Sequence, residues 1–155
     1  MCASPLRFFR DGPPPPKVVL LPDALFFSRE IPIAAGTSAA DARAQIELAL
    51  EAVSPFPLAQ LYYGWFWTPG SERAFFYAAY RRRFTADQVA GWGDAELVMP
   101  VSAALLGAQV EPATTAIVST AETLTTVYWE TPNLPAKIAS RPIDPAATDE
   151  DRGKL

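Results

Sequence analysis

The side chains that could do chemistry in this sequence are carboxylates and hydroxyls, because the chain contains no histidine and a single cysteine, Cys2. Without an imidazole, serine-histidine-aspartate triads, cysteine-histidine pairs and most zinc sites are excluded. A single cysteine also cannot form an internal disulfide. We therefore expect none of the familiar triad hydrolases.

The carboxylates offer little more. Acid-base or ligand-binding chemistry would need Asp23, Glu122 and Glu130 to converge in one cleft, and we predict that they do not share one. Glu47 and Glu51 lie one turn apart on a predicted helix, but outward glutamates are the normal polar face of an amphipathic helix. The sequence therefore predicts no catalytic residue, no metal and no cofactor.

Aromatic and basic residues are the better candidates for a function. In a strand over 60–67, three aromatic side chains share one face, and they either pack in the core or contact a partner protein. A basic cluster follows the next strand, where it either solvates a strand end or docks an acidic partner. The candidate partner contacts are Tyr63, Trp65, Trp67, Arg81, Arg82 and Arg83.

Charge and hydropathy disfavour further classes of protein. The formal charge of −4 and the sequence pI near 4.8 disfavour nucleic-acid binding, which needs a basic field. The sequence contains no apolar run of the about 18 residues that a membrane helix needs, and no signal-peptide block. We expect a cytoplasmic protein without a transmembrane segment in this chain.

Composition divides the chain into a folded part and two ends. Residues 1–16 include four consecutive prolines, Pro13–Pro16, which favour an extended polyproline arm. Residues 143–155 are acidic with almost no bulky apolar side chain, so we expect a flexible tail. The folded domain is predicted over 17–142.

Strand and helix signals alternate within this domain. Three strand signals, Lys17–Leu21, Ala24–Ser28 and Arg29–Ile33, suggest a meander in which Pro32 marks an edge strand or its end. Ser38 and Thr85 carry capping signals of two helices. Further strands are predicted at 60–67, 73–80, 96–99, 114–120, 123–129 and 136–140, with a small-residue helix at 101–108. We expect an α/β domain whose main sheet mixes antiparallel and parallel pairs.

The order of these elements resembles a known family. The segments KVVLLPDALFFSREIPI, AQIELALEAVSPFPLAQLYYGWFW, ELVMPVSAALLGA and TTAIVSTAETLTTVYWE are similar to the actin-like cytoplasmic domain of type II secretion inner-membrane protein L and of pilus-assembly protein M. The resemblance covers about 17–140. It implies an actin-like, RNase H-like mixed sheet with flanking helices, comprising the first lobe and the start of the second.

In actin-like ATPases, two turns cradle phosphates, each with an acidic residue followed by glycine, because close backbone approach requires a residue without a Cβ. The matching first turn here is Leu21–Leu25, where no glycine follows Asp23 and Pro22 removes an amide donor. In the second, Val118–Thr126, Ser119 stands at the acidic position and glycine is again missing. We expect no nucleotide binding, also because the chain stops too soon after the start of the second lobe to complete an interlobe cleft.

The resemblance implies a non-catalytic scaffold of a type II secretion or type IV pilus assembly system. Its partners would be protein components of that machine, a cytosolic ATPase among them, and it would work at the inner face of the inner membrane through its partners or a segment outside this chain. Two alternatives stay open. The chain could be a small-molecule-binding or enzymatic α/β domain that uses carboxylates and hydroxyls, or a domain that forms homodimers through an exposed strand edge.

Overall fold

The computed structural model describes residues 17–93, 95–144, 146 and 148. The predicted arm at 1–16 and most of the predicted tail lie outside the described residues. No helix in the described part of the chain combines the length and the apolar character needed to cross a membrane.

Strands dominate the described chain, and two α-helices accompany them. The helices are α1 (Ala39–Val53) and α2 (Ala86–Trp92). The strands are β1 (Val18–Leu21), β2 (Phe27–Pro32), β3 (Leu61–Phe66), β4 (Arg73–Tyr80), β5 (Leu97–Pro100), β6 (Thr114–Ser119), β7 (Thr123–Trp129) and β8 (Lys137–Pro142).

These strands form three sheets. β1 and β5 pair in parallel, with Val18 opposite Leu97. β2, β4 and β3 form an antiparallel sheet in that order, and β6, β7 and β8 form a second one. The fold is therefore mixed α/β with both kinds of pairing, as expected, but the strands do not form the single main sheet that the sequence suggested.

The predicted opening meander is wrong. The signals at Ala24–Ser28 and Arg29–Ile33 belong largely to one strand, β2, which pairs with β4 and not with β1. The cause is a 3₁₀ turn at Asp23–Leu25, which the Leu25 amide closes on the Pro22 carbonyl at 3.0 Å. This turn separates the paths of β1 and β2. The expectation for Pro32 is confirmed, because β2 ends there and pairs on one side.

Helix α1 covers one face of the β2-β4-β3 sheet. The Ser38 hydroxyl accepts a hydrogen bond of 3.2 Å from the Asp41 amide and so caps the helix, as predicted. The buried stripe of the helix packs on alternate residues of the strands, and each large side chain buried there contributes about 1.5–3 kcal/mol to stability. The core cluster comprises Ile31, Ile33, Ala42, Ile46, Leu50, Leu61, Ala74, Phe76 and Ala78.

The hairpin of β3 and β4 is confirmed, with Leu61 opposite Tyr80 and Phe66 opposite Phe75. Residues Ala74–Ala79 of β4 are all buried, because this strand lies between β2 and β3 and both of its faces are covered. β5 contacts both β3 and β4. The β1-β5 pair therefore lies against the hairpin.

The helix signals after the hairpin are confirmed in one case and corrected in the other. Thr85 and Gln88 form the predicted capping box at the start of α2. The predicted helix over 101–108 is instead a 3₁₀ turn at Val101–Leu105. The Ala108 amide closes a further turn on the Leu105 carbonyl at 3.1 Å, and Gly107 within it has a φ of 81°, outside the right-handed helical region, so a helix cannot continue to residue 108.

The β6-β7-β8 sheet turns one face inward. Along β7, Thr123, Thr125, Val127 and Trp129 are buried, and the residues between them are half-buried or exposed. The Ile143 side chain is also buried, and its amide donates to the Glu122 carbonyl at 2.8 Å. The packed chain therefore includes the residue that follows β8.

Candidate functional site

Asp23 is the buried carboxylate that joins the two ends of the domain. Its side chain is only 4% exposed. Oδ1 accepts a hydrogen bond of 3.0 Å from the Ser102 amide, and Oδ2 accepts one of 3.1 Å from the Thr125 hydroxyl. Both carboxylate oxygens are thus used inside the protein.

The hydrogen bonds continue from Thr125 to β8. The Thr125 and Ser140 hydroxyl oxygens lie 2.6 Å apart. Because Thr125 gives its one proton to Asp23, Ser140 must donate in this contact. The chain of hydrogen bonds from Ser140 through Thr125 to Asp23 connects β8 and β7 with the turn that precedes β2.

The second predicted phosphate turn is the connection from β6 to β7. The Thr120 hydroxyl oxygen accepts from the amides of Glu122 at 3.3 Å and Thr123 at 3.0 Å. The Thr120 amide itself donates to the Thr123 carbonyl at 2.9 Å. Phosphate cradles need several amides that point outward together. The amides of Thr120, Glu122 and Thr123 instead donate hydrogen bonds within the turn.

The two predicted phosphate turns face each other across a small pocket of about 220 Å³. Leu21, Pro22 and Val101 line it from one side, and Thr120 and Glu122 from the other. The described lining residues include no glycine, lysine or arginine. Apolar walls with one carboxylate are a poor receptor for a polyanionic phosphate chain.

Glu122 and Glu130, the carboxylates considered with Asp23, have different surroundings from it. Glu122 lines the small pocket, and Glu130 forms an ion pair of 3.4 Å with Arg73 at an exposed position. Arg73 also pairs with Glu30 at 3.2 Å, and these two carboxylates raise its pKa, with the Glu30 hydrogen bond as the largest cause. The described residues contain no group of three acidic, histidine or cysteine side chains that could hold a metal ion.

The aromatic candidates, Tyr63 and Trp65 on β3 and Trp67 directly after it, differ in their surroundings. The Tyr63 hydroxyl donates to Glu47 Oε1 at 3.4 Å, and burial, followed by the charge of Glu47, raises the Tyr63 pKa. The Trp67 indole nitrogen donates to the Ser71 carbonyl at 2.9 Å. Tyr63 and Trp67 both pack against the core under α1. Trp65 is 37% exposed and presents its side chain to solvent.

The three arginine candidates also differ in their contacts. Arg81 Nε donates to the Leu61 carbonyl at 2.9 Å, and an Arg83 guanidinium nitrogen donates to the Leu25 carbonyl at 3.2 Å. Arg82 is exposed and has no ion pair or hydrogen bond among the described residues. The structure therefore leaves Trp65 and Arg82 directed outward and uses the other four candidates in internal contacts.

Sequence reasoning missed the Asp23 network. It gave Thr125, Ser102 and Ser140 no role beyond their places in predicted elements. A signal was present, because Thr125 stands in the same alternating phase as Val127 and Trp129, which a half-buried strand turns to the core. A hydroxyl in a buried phase needs a polar partner.

No protein-family model matches this chain, and no curated protein matches it in sequence. Among solved structures, the chain is similar to the cytoplasmic domain of EpsL from Vibrio cholerae, which is described as an inner membrane component of the type II secretion system. The TM-score is 0.51 at 16% identity, and the match covers 81% of this chain but only 50% of that one. At this identity the likeness concerns the fold. The resemblance to secretion protein L that the sequence indicated is thus confirmed at the level of the fold.

Proposed function

We propose that this chain is a non-catalytic module of a type II secretion or type IV pilus assembly system that binds protein components of the machine. The observation that carries the proposal is the use of Asp23. In the turn where an actin-like ATPase would grip phosphate, this carboxylate ties Ser102 to Thr125 inside the protein. The likeness to the EpsL domain supports the choice of machine.

The proposal predicts that the chain does not bind nucleotide. Pro22 has no amide N–H to donate, and the amides of Thr120, Glu122 and Thr123 donate within their own turn. We expect that millimolar ATP with magnesium leaves the melting temperature of the full chain unchanged. A rise of several degrees would contradict the proposal, because a ligand that binds the native state stabilises it.

The contact surface that we propose runs along β3, with Trp65 and Arg82 as its outward-facing residues. Trp65 lies near one end of the strand, opposite Phe76. Arg82 follows Tyr80, which pairs with Leu61 at the other end. At about 3.4 Å per residue, Leu61 and Trp65 are separated by about 14 Å. An aromatic anchor and a separate cation suit a partner with an apolar pocket and an acidic group.

Two substitutions and two matched controls test this surface. Trp65→Ala and Arg82→Glu should each weaken capture of the chain's own secretion or pilus proteins. Tyr128→Ala is the control for Trp65, because Tyr128 is also 37% exposed but lies on the separate β7 sheet. Lys137→Glu is the charge control on β8. If the controls weaken capture as much as the two test variants, the proposed surface is wrong.

The location follows from the partners. A module of such a machine would work at the cytoplasmic face of the inner membrane and be held there by the proteins that it binds. Fractionation of cells that express the full chain should find it with the membrane when the machine is present and not when the machine is deleted. The same distribution in both strains would argue against the proposal.

A further inference from the structure

A cavity of about 370 Å³ lies beside the Asp23 network. Its apolar walls include Phe26, Ile138 and Pro142, and its polar atoms include those of Asp23, Ser28 and Ser140. Pockets that bind small molecules in proteins have volumes of about 300–1,000 Å³ and combine mainly apolar walls with a few placed polar groups. The volume of this cavity lies in that range, and its lining offers a small ligand both apolar walls and polar groups.

The charge in the cavity is unbalanced. Asp23 is 4% exposed, and in the described part of the chain no lysine or arginine forms an ion pair with it. Arg83 reaches the same turn, but it donates to the Leu25 carbonyl. The hydrogen bonds to Asp23 come from an amide and a hydroxyl, which carry no net charge. A buried carboxylate in this state is stabilised by a cation that enters beside it.

The polar groups of Asp23 and Ser140 in this cavity can accept further hydrogen bonds. The proton of Thr125 is given to Asp23, and the proton of Ser140 is given to Thr125. The Ser140 oxygen therefore retains lone pairs, and so do the carboxylate oxygens of Asp23. A ligand that fits this set must donate hydrogen bonds.

We propose that this cavity binds a small organic cation, a primary ammonium or guanidinium group on an apolar body. The cationic group lies against Asp23 and Ser140, and the apolar body lies against Phe26 and Ile138. Such a group supplies both the missing positive charge and the missing donors. The proposal is independent of the partner surface on β3, so either one can fail alone.

Three probes that share one ring and differ in charge test the ligand class. Benzylamine, benzyl alcohol and benzoate are titrated into the full chain by isothermal titration calorimetry at one ionic strength. We expect benzylamine to bind at least about tenfold more tightly than the other two, the factor that 1.4 kcal/mol of ionic interaction provides. Equal affinity of benzylamine and benzyl alcohol, tighter binding of benzoate, or no heat from benzylamine at millimolar concentration would overturn the proposal.

Two variants test the site. Asp23→Asn keeps the size of the side chain and one acceptor oxygen but removes the charge, and we expect at least about a tenfold loss of benzylamine affinity. Ser28→Phe fills the cavity from β2, where the Ser28 side chain takes part in none of the Asp23 hydrogen bonds, so it tests the site even if Asp23→Asn does not fold. Ser119→Phe at an exposed position is its control and should bind like the parent. Benzylamine binding that survives Ser28→Phe unchanged would place the ligand elsewhere and overturn the proposal.

Discussion

Thr125 and Asp23 are 102 positions apart in the chain, and a hydrogen bond of 3.1 Å joins the hydroxyl of one to the carboxylate of the other inside the protein. Asp23 belongs to the turn before β2, and Thr125 belongs to β7. The bond therefore connects the first and the last parts of the folded chain. We expect loss of this bond to lower the free energy of unfolding of the whole domain.

Thr125→Val keeps the shape of the side chain and removes the donor to Asp23 and the acceptor for Ser140. Because these groups are buried, we expect the free energy of unfolding to fall by about 1–3 kcal/mol. Thr115→Val on β6 is the control, since Thr115 is exposed, and it should change stability by less than about 0.5 kcal/mol. Urea denaturation measures both. Equal losses in the two variants would show that the Asp23 bond adds nothing.

Gly64 on β3 is predicted to be intolerant of any side chain. A Cβ at this position would lie 2.5 Å from Cζ of Tyr77, whose side chain is only 5% exposed and cannot swing into solvent. We expect Gly64→Ala to lower the free energy of unfolding by about 1–3 kcal/mol through overpacking.

Gly91→Ala is the matched control for Gly64→Ala. Gly91 lies in α2 with no atom within 4 Å of the added Cβ, so this change should stabilise the helix by up to about 1 kcal/mol. Thermal and urea unfolding of both variants test the pair. A stable Gly64→Ala protein would mean that Tyr77 does not pack against β3 as described.

The burial of Tyr77 should make the stability of the protein depend on pH in the alkaline range. Burial raises the pKa of its phenol above the ordinary value, so the folded protein favours the neutral form. In the unfolded chain the phenol ionises near pH 10. The stability due to this difference is therefore fully present below about pH 10 and is lost as pH rises from there through the folded pKa.

Urea unfolding of the parent and of Tyr77→Phe between about pH 8 and 11 measures this effect. Tyr77→Phe should lose less stability over the upper part of this range than the parent. Tyr63, whose pKa is also raised by burial, is present in both proteins, so its contribution cancels. Parallel curves for the two proteins would contradict the prediction.

Local features of the fold were predictable because their causes lie within a few residues. The caps at Ser38 and Thr85 and the hairpin of β3 and β4 follow from side chains close to one another in sequence. The parallel pairing of β1 with β5 joins segments about 80 positions apart, and no local sequence pattern indicates that these two strands pair. The meander failed for this reason, since strand signals do not identify the partner strand.

The candidate surface shows the same limit. Alternation predicts one face for Tyr63, Trp65 and Trp67, but it does not show how much of that face α1 and the turn at Ser71 cover. Such coverage depends on how elements pack, which composition and spacing do not encode.

We propose that this chain serves a secretion or pilus machine by binding its proteins without nucleotide. The most direct test is capture on the immobilised full chain from a native lysate, with and without ATP and magnesium, followed by mass spectrometry. We predict that components of the machine are recovered equally in both conditions and less well by the Trp65→Ala chain. Recovery of none of these components, or recovery that requires ATP, would contradict the account.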